Sequence, residues 1–263
     1  MNRAQAVYTA CPAMALGIPG ALPIGDLVRD ALEMDARDPS ASSWNWPEEV
    51  GSPRLLLFPG SRPAIRRVAL GWLTAVVDLL RPDYPRLRVR TLFSPFVPDP
   101  EFADWRAAGL EPVRAGAGVA MRDADYALTQ PGTNTLEMAH CGLPGLVVAP
   151  RAFLEHIPVA GLRGLAVSLP FVGTWIRRAA IERVLARHNG FISLPNRIAG
   201  RPLMDELYGD VVPRDIAGWI AEALRDPEGR ARTHAELLGL SGEAGAAARL
   251  CDALEAQERR VPR

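Results

Sequence analysis

Three short stretches of the chain hold residues whose types and spacing suit chemistry. The first is Leu57-Phe58-Pro59-Gly60-Ser61-Arg62, an apolar run that ends in Pro-Gly and gives way to a helical pattern at Pro63. Gly60 and Ser61 let backbone amides approach an anion, Arg62 adds a fixed positive charge, and Pro63 is preset for a first helical turn. Taken alone, a plain strand-to-helix turn capped by Ser61 accounts for the same residues. The second is Gln130-Pro131-Gly132-Thr133-Asn134-Thr135-Leu136-Glu137. Gly132 permits a tight turn, and the free amides with the Thr133 and Thr135 hydroxyls make a metal-free phosphate cradle, to which the helix dipole adds about 0.3–1 kcal/mol. Glu137 follows Thr133 by one turn on the same face, placed to accept both hydroxyls of a ribose. An acid favoured by the dipole in a first turn explains it equally well. The third is Ser193-Leu194-Pro195-Asn196-Arg197-Ile198-Ala199-Gly200-Arg201, followed by Asp205-Glu206-Leu207. It reads as a strand ending in Pro-Asn that turns through Ala-Gly into a helix, with Asn196, Arg197 and Arg201 at one sheet edge. The alternative is a helix-capping turn with solvated arginines.

The elements that must position these loops alternate. Arg54–Phe58, Arg88–Phe93, Ala124–Thr129, Gly145–Ala149 and Phe191–Leu194 read as strands, while Ile65–Leu80, Pro100–Ala108, Thr133–Cys141 and Trp175–Arg187 read as helices. This is the βαβ alternation of an α/β, doubly wound parallel sheet, followed by C-terminal helices with breaks near Asp226-Pro227 and Leu240-Ser241. Ligands of such sheets bind at the carboxyl ends of the strands, where all three loops are expected. Residues 1–53, rich in Pro, Gly, Ser and acids, read as a linker or remnant with one short helix around Asp26 to Met34. Its carboxylates Asp26, Asp30, Glu33, Asp35 and Asp38 are expected on a solvated face.

Composition narrows the classes. With 48% hydrophobic and 23% charged residues, the 263-residue chain belongs with ordinary soluble domains. Thirty basic residues, all of them Arg, cancel thirty acids, so no overall field recruits nucleic acid and any polyanion must be bound locally. Cys11, Cys141 and Cys251 are odd in number and far apart, which suits reduced thiols in the cytoplasm. The four His residues show no metal-ligand spacing, so a zinc enzyme is not expected, and no cofactor is assigned.

Together and in order, Pro59-Gly60-Ser61-Arg62, Gly132-Thr133-Asn134-Thr135-Leu136-Glu137 and Leu194-Pro195-Asn196-Arg197-Ile198-Ala199-Gly200-Arg201 resemble three segments of the lipid-A-disaccharide synthases. These are GT-B glycosyltransferases with two Rossmann-like domains, and the likeness runs over about residues 54 to 255, the second of the two. Pro131 stands where the family has Ser, and no acid follows Gly-Ser-Arg closely. The resemblance implies a UDP-sugar-binding Rossmann-like domain over residues 54–263, the C-terminal half of a GT-B fold, with residues 1–53 left from an N-terminal acceptor domain. It implies transfer of 2,3-diacylglucosamine from UDP to a lipid-linked acceptor, 2,3-diacylglucosamine 1-phosphate. Gly60, Ser61, Arg62, Gly132, Thr133, Asn134 and Thr135 would then meet the diphosphate or sugar, Glu137 the ribose, and Asn196 and Arg201 the donor. The catalytic base belongs to the N-terminal domain in the family, so no catalytic residue is assigned here. Other readings of the resemblance are a non-catalytic nucleotide-sugar-binding remnant, a subunit completed by a separate N-terminal chain or by self-association, and, least, a UDP-sugar epimerase. The lipid substrates imply a cytoplasmic protein with peripheral attachment to the inner face of the membrane.

Overall fold

A computed structural model describes residues 6–15, 18–37, 46, 51–154 and 190–259. Its centre is a six-stranded, all-parallel sheet built from β3 (Arg54–Leu57), β4 (Arg88–Phe93), β5 (Pro112–Arg114), β6 (Tyr126–Thr129), β7 (Gly145–Pro150) and β8 (Asp205–Gly209). The strand order is β5-β4-β3-β6-β7-β8. From β3 the chain moves outward to β4 and β5, then returns across the sheet to β6 and continues the other way. The order therefore reverses between β3 and β6, which makes the crevice at their carboxyl ends the switch point of a doubly wound fold.

The central strands β3, β6 and β7 are covered on both faces, and this is why they read as continuous apolar runs. Leu55 and Leu57 of β3 enter one core with α3 (Pro63–Leu80) and α9 (Pro213–Arg225), while Leu56 and Phe58 enter a second core with α5 (Ala117–Met121), α6 (Asn134–Cys141) and α10 (Pro227–Leu240). The period-two alternation of the strand sends successive residues to opposite faces. In α3 the buried positions Ile65, Ala69, Leu73, Val76, Val77 and Leu80 recur at helical spacing behind Pro63 at the helix start.

The strands expected to begin near Arg54, Arg88, Ala124 and Gly145 are present, and β4 and β7 are followed by the short helices α4 (Asp99–Ala107) and α7 (Arg151–Leu154). Phe191–Leu194 is not a strand. Ser193 caps a short helix, α8 (Leu194–Ala199), by accepting from the Asn196 amide, and Pro195 sits in the first turn. The sixth strand is instead β8, Asp205–Gly209, in the segment where the turn through Ala199-Gly200 is expected to lead into a helix. Two short elements escaped the sequence pattern, the three-residue β5 and the helix α5 behind it. The expected helix at Trp175–Arg187 lies outside the described residues.

In the N-terminal segment β1 (Tyr8–Thr9) and β2 (Leu22–Pro23) pair in parallel, with α1 (Pro12–Ala15) between them. The expected helix is α2, Leu27–Arg37, which packs on α5, α6 and the last helix, α11 (Ala246–Glu258). Two of the acids expected on a solvated face, Asp26 and Asp30, are instead engaged with other elements, and Asp38 lies outside the described residues. Asp26 bonds to His140 Nε2 at 2.8 Å, and Asp30 accepts the amides of Gly245 and Ala247, both at 2.7 Å. The acids cap and tie backbone that would otherwise lack partners.

Candidate functional site

The first two loops meet at the switch point. Beyond the register Leu57–Leu128, the Phe58 amide donates to the Leu128 carbonyl at 2.9 Å, so β3 and β6 leave the sheet side by side. Gly60 holds φ +91°, a left-handed conformation that favours glycine, and a Cβ there would come within 3.0 Å of the Gln130 Oε1 atom. Gln130 Nε2 donates to the Pro59 carbonyl at 3.1 Å and locks the loops together. Sequence patterns gave Gln130 no role, because its partner lies 71 positions away.

Ser61 and Arg62 are exposed at the head of α3. The Ser61 carbonyl is held from below by Arg66 Nη1 at 2.6 Å, and the buried Arg66 guanidinium engages both oxygens of Glu101. A paired guanidinium under the loop fixes its shape without using Arg62, whose side chain makes no capping bond. Arg67 is exposed in the next turn of α3.

On β6's side, Pro131, Gly132 and Thr133 are exposed. Among the described residues the amides of Gly132, Thr133 and Asn134 make no hydrogen bond, whereas those of Thr135, Leu136 and Glu137 already return to Gly132 and Thr133. These open donors, at the positive end of α6 and across from Arg62, form a neutral-to-cationic mouth suited to a phosphate group. The turn is braced by Asn134 Nδ2 donating to Thr129 Oγ1 at 2.7 Å.

Thr135 departs from the cradle. It is fully buried, its hydroxyl donates to the Gly132 carbonyl at 2.8 Å, and the same oxygen accepts the Leu194 amide at 3.3 Å. Asn196 is also internal. Its Nδ2 donates to Met204 O and Glu206 Oε1, and its Oδ1 accepts the amides of Leu203 and Met204 at 2.7 and 2.9 Å. Glu206 completes the knot by accepting the amides of Ile192 and Ser193 at 2.8 and 2.9 Å. The third stretch therefore uses its polar atoms to fasten α8 to β8 and to α6. Arg201 lies elsewhere. It pairs with Glu236 Oε2 at 2.8 Å beside a cavity lined by Tyr126, Gly145 and Asp205, the first residues of β6, β7 and β8. That is the amino end of the sheet, opposite the loops that carry Arg62 and Gly132.

Glu137 sits one turn into α6, half-buried and facing α5 and α2. Burial first, and then the charge of Asp35, push its carboxyl group above the ordinary carboxylate range, while His140 opposes them. Among the described residues no donor bonds to it. A desolvated carboxylate without a donor is suited to accept hydroxyls from a ligand. Asp35 was absent from the site expected from sequence. Only its position against Gly116, at the head of α5, brings it there. Among the described residues no group of three or more His, Cys, Asp or Glu side chains gathers to hold a metal.

No family model matches this chain, and no curated protein matches it. The functional reading rests on the geometry and on the motifs.

Proposed function

We propose that the chain binds a UDP-linked amino sugar at the β3–β6 switch point and acts as a UDP-sugar-dependent hexosyltransferase of the lipid-A-disaccharide synthase type, its domain corresponding to the donor half of a GT-B fold. The observation that carries this reading is the convergence of Pro59–Arg62 and Gln130–Glu137 on one crevice, with Arg62 and the open amides of Gly132 to Asn134 on its walls. The diphosphate takes those amides and Arg62, the ribose takes Glu137, and departing UDP is stabilised by the same fixed dipoles and charge. Asn196 and Thr135 hold the scaffold in this scheme, and Arg201 has no part in the donor site.

Removing a charge-assisted contact to phosphate costs about 1.5–3 kcal/mol, so Arg62→Ala weakens UDP by about 10- to 150-fold and uridine hardly at all. Calorimetry that shows equal loss for both ligands overturns the phosphate assignment. A second reading, a nucleotide-sugar-binding subunit that needs a separate acceptor chain or self-association, is favoured by the structural use of Asp26 and Asp30, which leaves neither free as a base. An assay of the isolated chain for labelled disaccharide separates the two, with turnover supporting a self-sufficient transferase. Among the described residues no helix is long and apolar enough to cross a membrane. The peripheral attachment that lipid substrates imply is tested by flotation with anionic vesicles, where no association with or without lipid substrate removes it.

A further inference from the structure

Glu137 looks away from open solvent toward α2, and the manner in which α2 is held there has a functional consequence. Two glycines of the α5 segment let α2 come close. A Cβ on Gly118 would stand 2.9 Å from the Leu32 carbonyl oxygen, and one on Gly116 would stand 2.7 Å from Asp35 Cγ. Asp26 is bonded to His140, one turn beyond Glu137 on the same face of α6, so α2 packs along that face, and the negative charge of Asp35 acts on the Glu137 carboxylate. The approach is tight, yet little apolar area fastens it. Leu32 is the buried hydrophobic residue of α2, whereas Leu27 and Met34 are 50% and 73% exposed.

The fastening is polar instead. Asp26 bonds to His140, Arg29 Nη1 donates to Ser241 Oγ and to the Gly242 carbonyl, both at 2.6 Å, and Asp30 holds the head of α11. Arg249 of α11 returns Nε to the Ile24 carbonyl at 2.6 Å. Downstream, Trp46 is buried in the core with the Arg90 guanidinium over its ring, so the chain behind α2 stays anchored. Exchangeable polar ties on a helix with one buried leucine, tethered by a buried tryptophan, make an element that separates from its seat at much lower cost than the core.

We propose that α2 is a latch over Glu137, holding Asp35 where the hydroxyls of a ligand ribose must come and giving way when a nucleoside diphosphate binds. This rests on reading Glu137 as the ribose acceptor. Both effects of the latch oppose binding, since it covers the carboxylate and brings a second negative charge to act on it. The apparent affinity is then the intrinsic affinity reduced by the fraction of molecules whose latch is open.

Gly118→Ala tests this with little other disturbance, because Gly118 is helical, lies outside both phosphate loops, and its new methyl group meets the backbone of α2. Hydrogen exchange and calorimetry are measured on the full chain with UDP. The expected result is that saturating UDP speeds exchange of amides 27–37, and that Gly118→Ala both speeds that exchange without ligand and tightens UDP by at least about threefold. The tightening disappears when Glu137→Ala is added. Arg249→Ala, which cuts the tie to Ile24, serves as the second loosened variant should Gly118→Ala fail to fold or to loosen α2. UDP binding that leaves α2 exchange unchanged or slower, or a loosened α2 with unchanged UDP affinity, overturns the latch while leaving the ribose reading intact. Absence of UDP binding in the wild type and in both loosened variants overturns the ribose reading and the latch with it.

Discussion

At Glu137 the requirements of folding and of binding pull apart. Burial and Asp35 raise its carboxyl group, so the protonated form suits the folded chain and the ionised form does not. The stability this residue contributes is present below the ordinary carboxylate range and is lost as pH rises through the raised value. At neutral pH Glu137→Gln therefore raises the melting temperature, and the gain shrinks at acidic pH. A variant melting lower at neutral pH would mean that the ionised carboxylate has a stabilising partner. Asn196 is the opposite case, a polar residue spent entirely on its own fold. Asn196→Ala leaves the amides of Leu203 and Met204 buried and unpaired, at an expected cost of about 2–5 kcal/mol by denaturant unfolding, with UDP affinity unchanged where the chain is folded. Small stability loss with lost UDP binding would return Asn196 to the ligand. The amino acids themselves did not separate Glu137 from Asn196 or Thr135, since an amide or hydroxyl that suits a phosphate or sugar suits a backbone carbonyl equally well. The distinction lay in partners seven to fifty-nine positions away, such as Leu203 and Leu194.

Among the elements, the loops after β3 and β6 were legible because their signals are local, an apolar run, a glycine and a helix start within a few residues. The segment from Phe191 to Gly209 was misread because tertiary contacts govern it. The turn through Ala199-Gly200 reads as leading into a helix, but Tyr126 donates to Asp205 in β8 and Glu206 gathers the amides before α8. β5 has three residues, too few for any alternation to show. Close packing of β6 on β7 rests on Gly145, where a Cβ would stand 2.5 Å from the Ala127 carbonyl oxygen and from Met138 Cε. Gly145→Ala should cost about 1–3 kcal/mol of stability by overpacking, read from the denaturant midpoint. An unchanged midpoint would show that the two strands separate easily at this point.

For the whole molecule, the N-terminal segment, α6, α10 and α11 share one layer whose ties include two acidic side chains, Asp26 and Asp30. Burial alone would raise Asp26, but the bonds from His140 and the Val28 amide outweigh it and hold the carboxyl group below its ordinary value. The amide of Ala247 does the same for Asp30, against some desolvation and with help from Gly245. Both residues contribute stability that is present above the ordinary carboxylate value of 3.8 and is lost as pH falls through the lowered values. In acid, exchange of amides 27–37 should therefore rise before that of β6 and β7, and simultaneous loss would show that α2 and the sheet unfold as one unit. The helices of this layer were legible, α2 among them, but their docking was not, because its ties span more than one hundred positions, from Asp26 to His140 and from Asp30 to Gly245.

The account depends most on the switch-point crevice binding a ribonucleoside diphosphate through Glu137, and calorimetry with UDP and deoxyuridine diphosphate tests this directly. A charge-assisted hydrogen bond of about 1.5–3 kcal/mol predicts that Glu137→Ala weakens UDP by about 10- to 150-fold, and that the deoxy ligand binds wild type poorly but loses little more in the variant. Equal affinities of wild type and Glu137→Ala for UDP, with no discrimination between the two ligands, would contradict it.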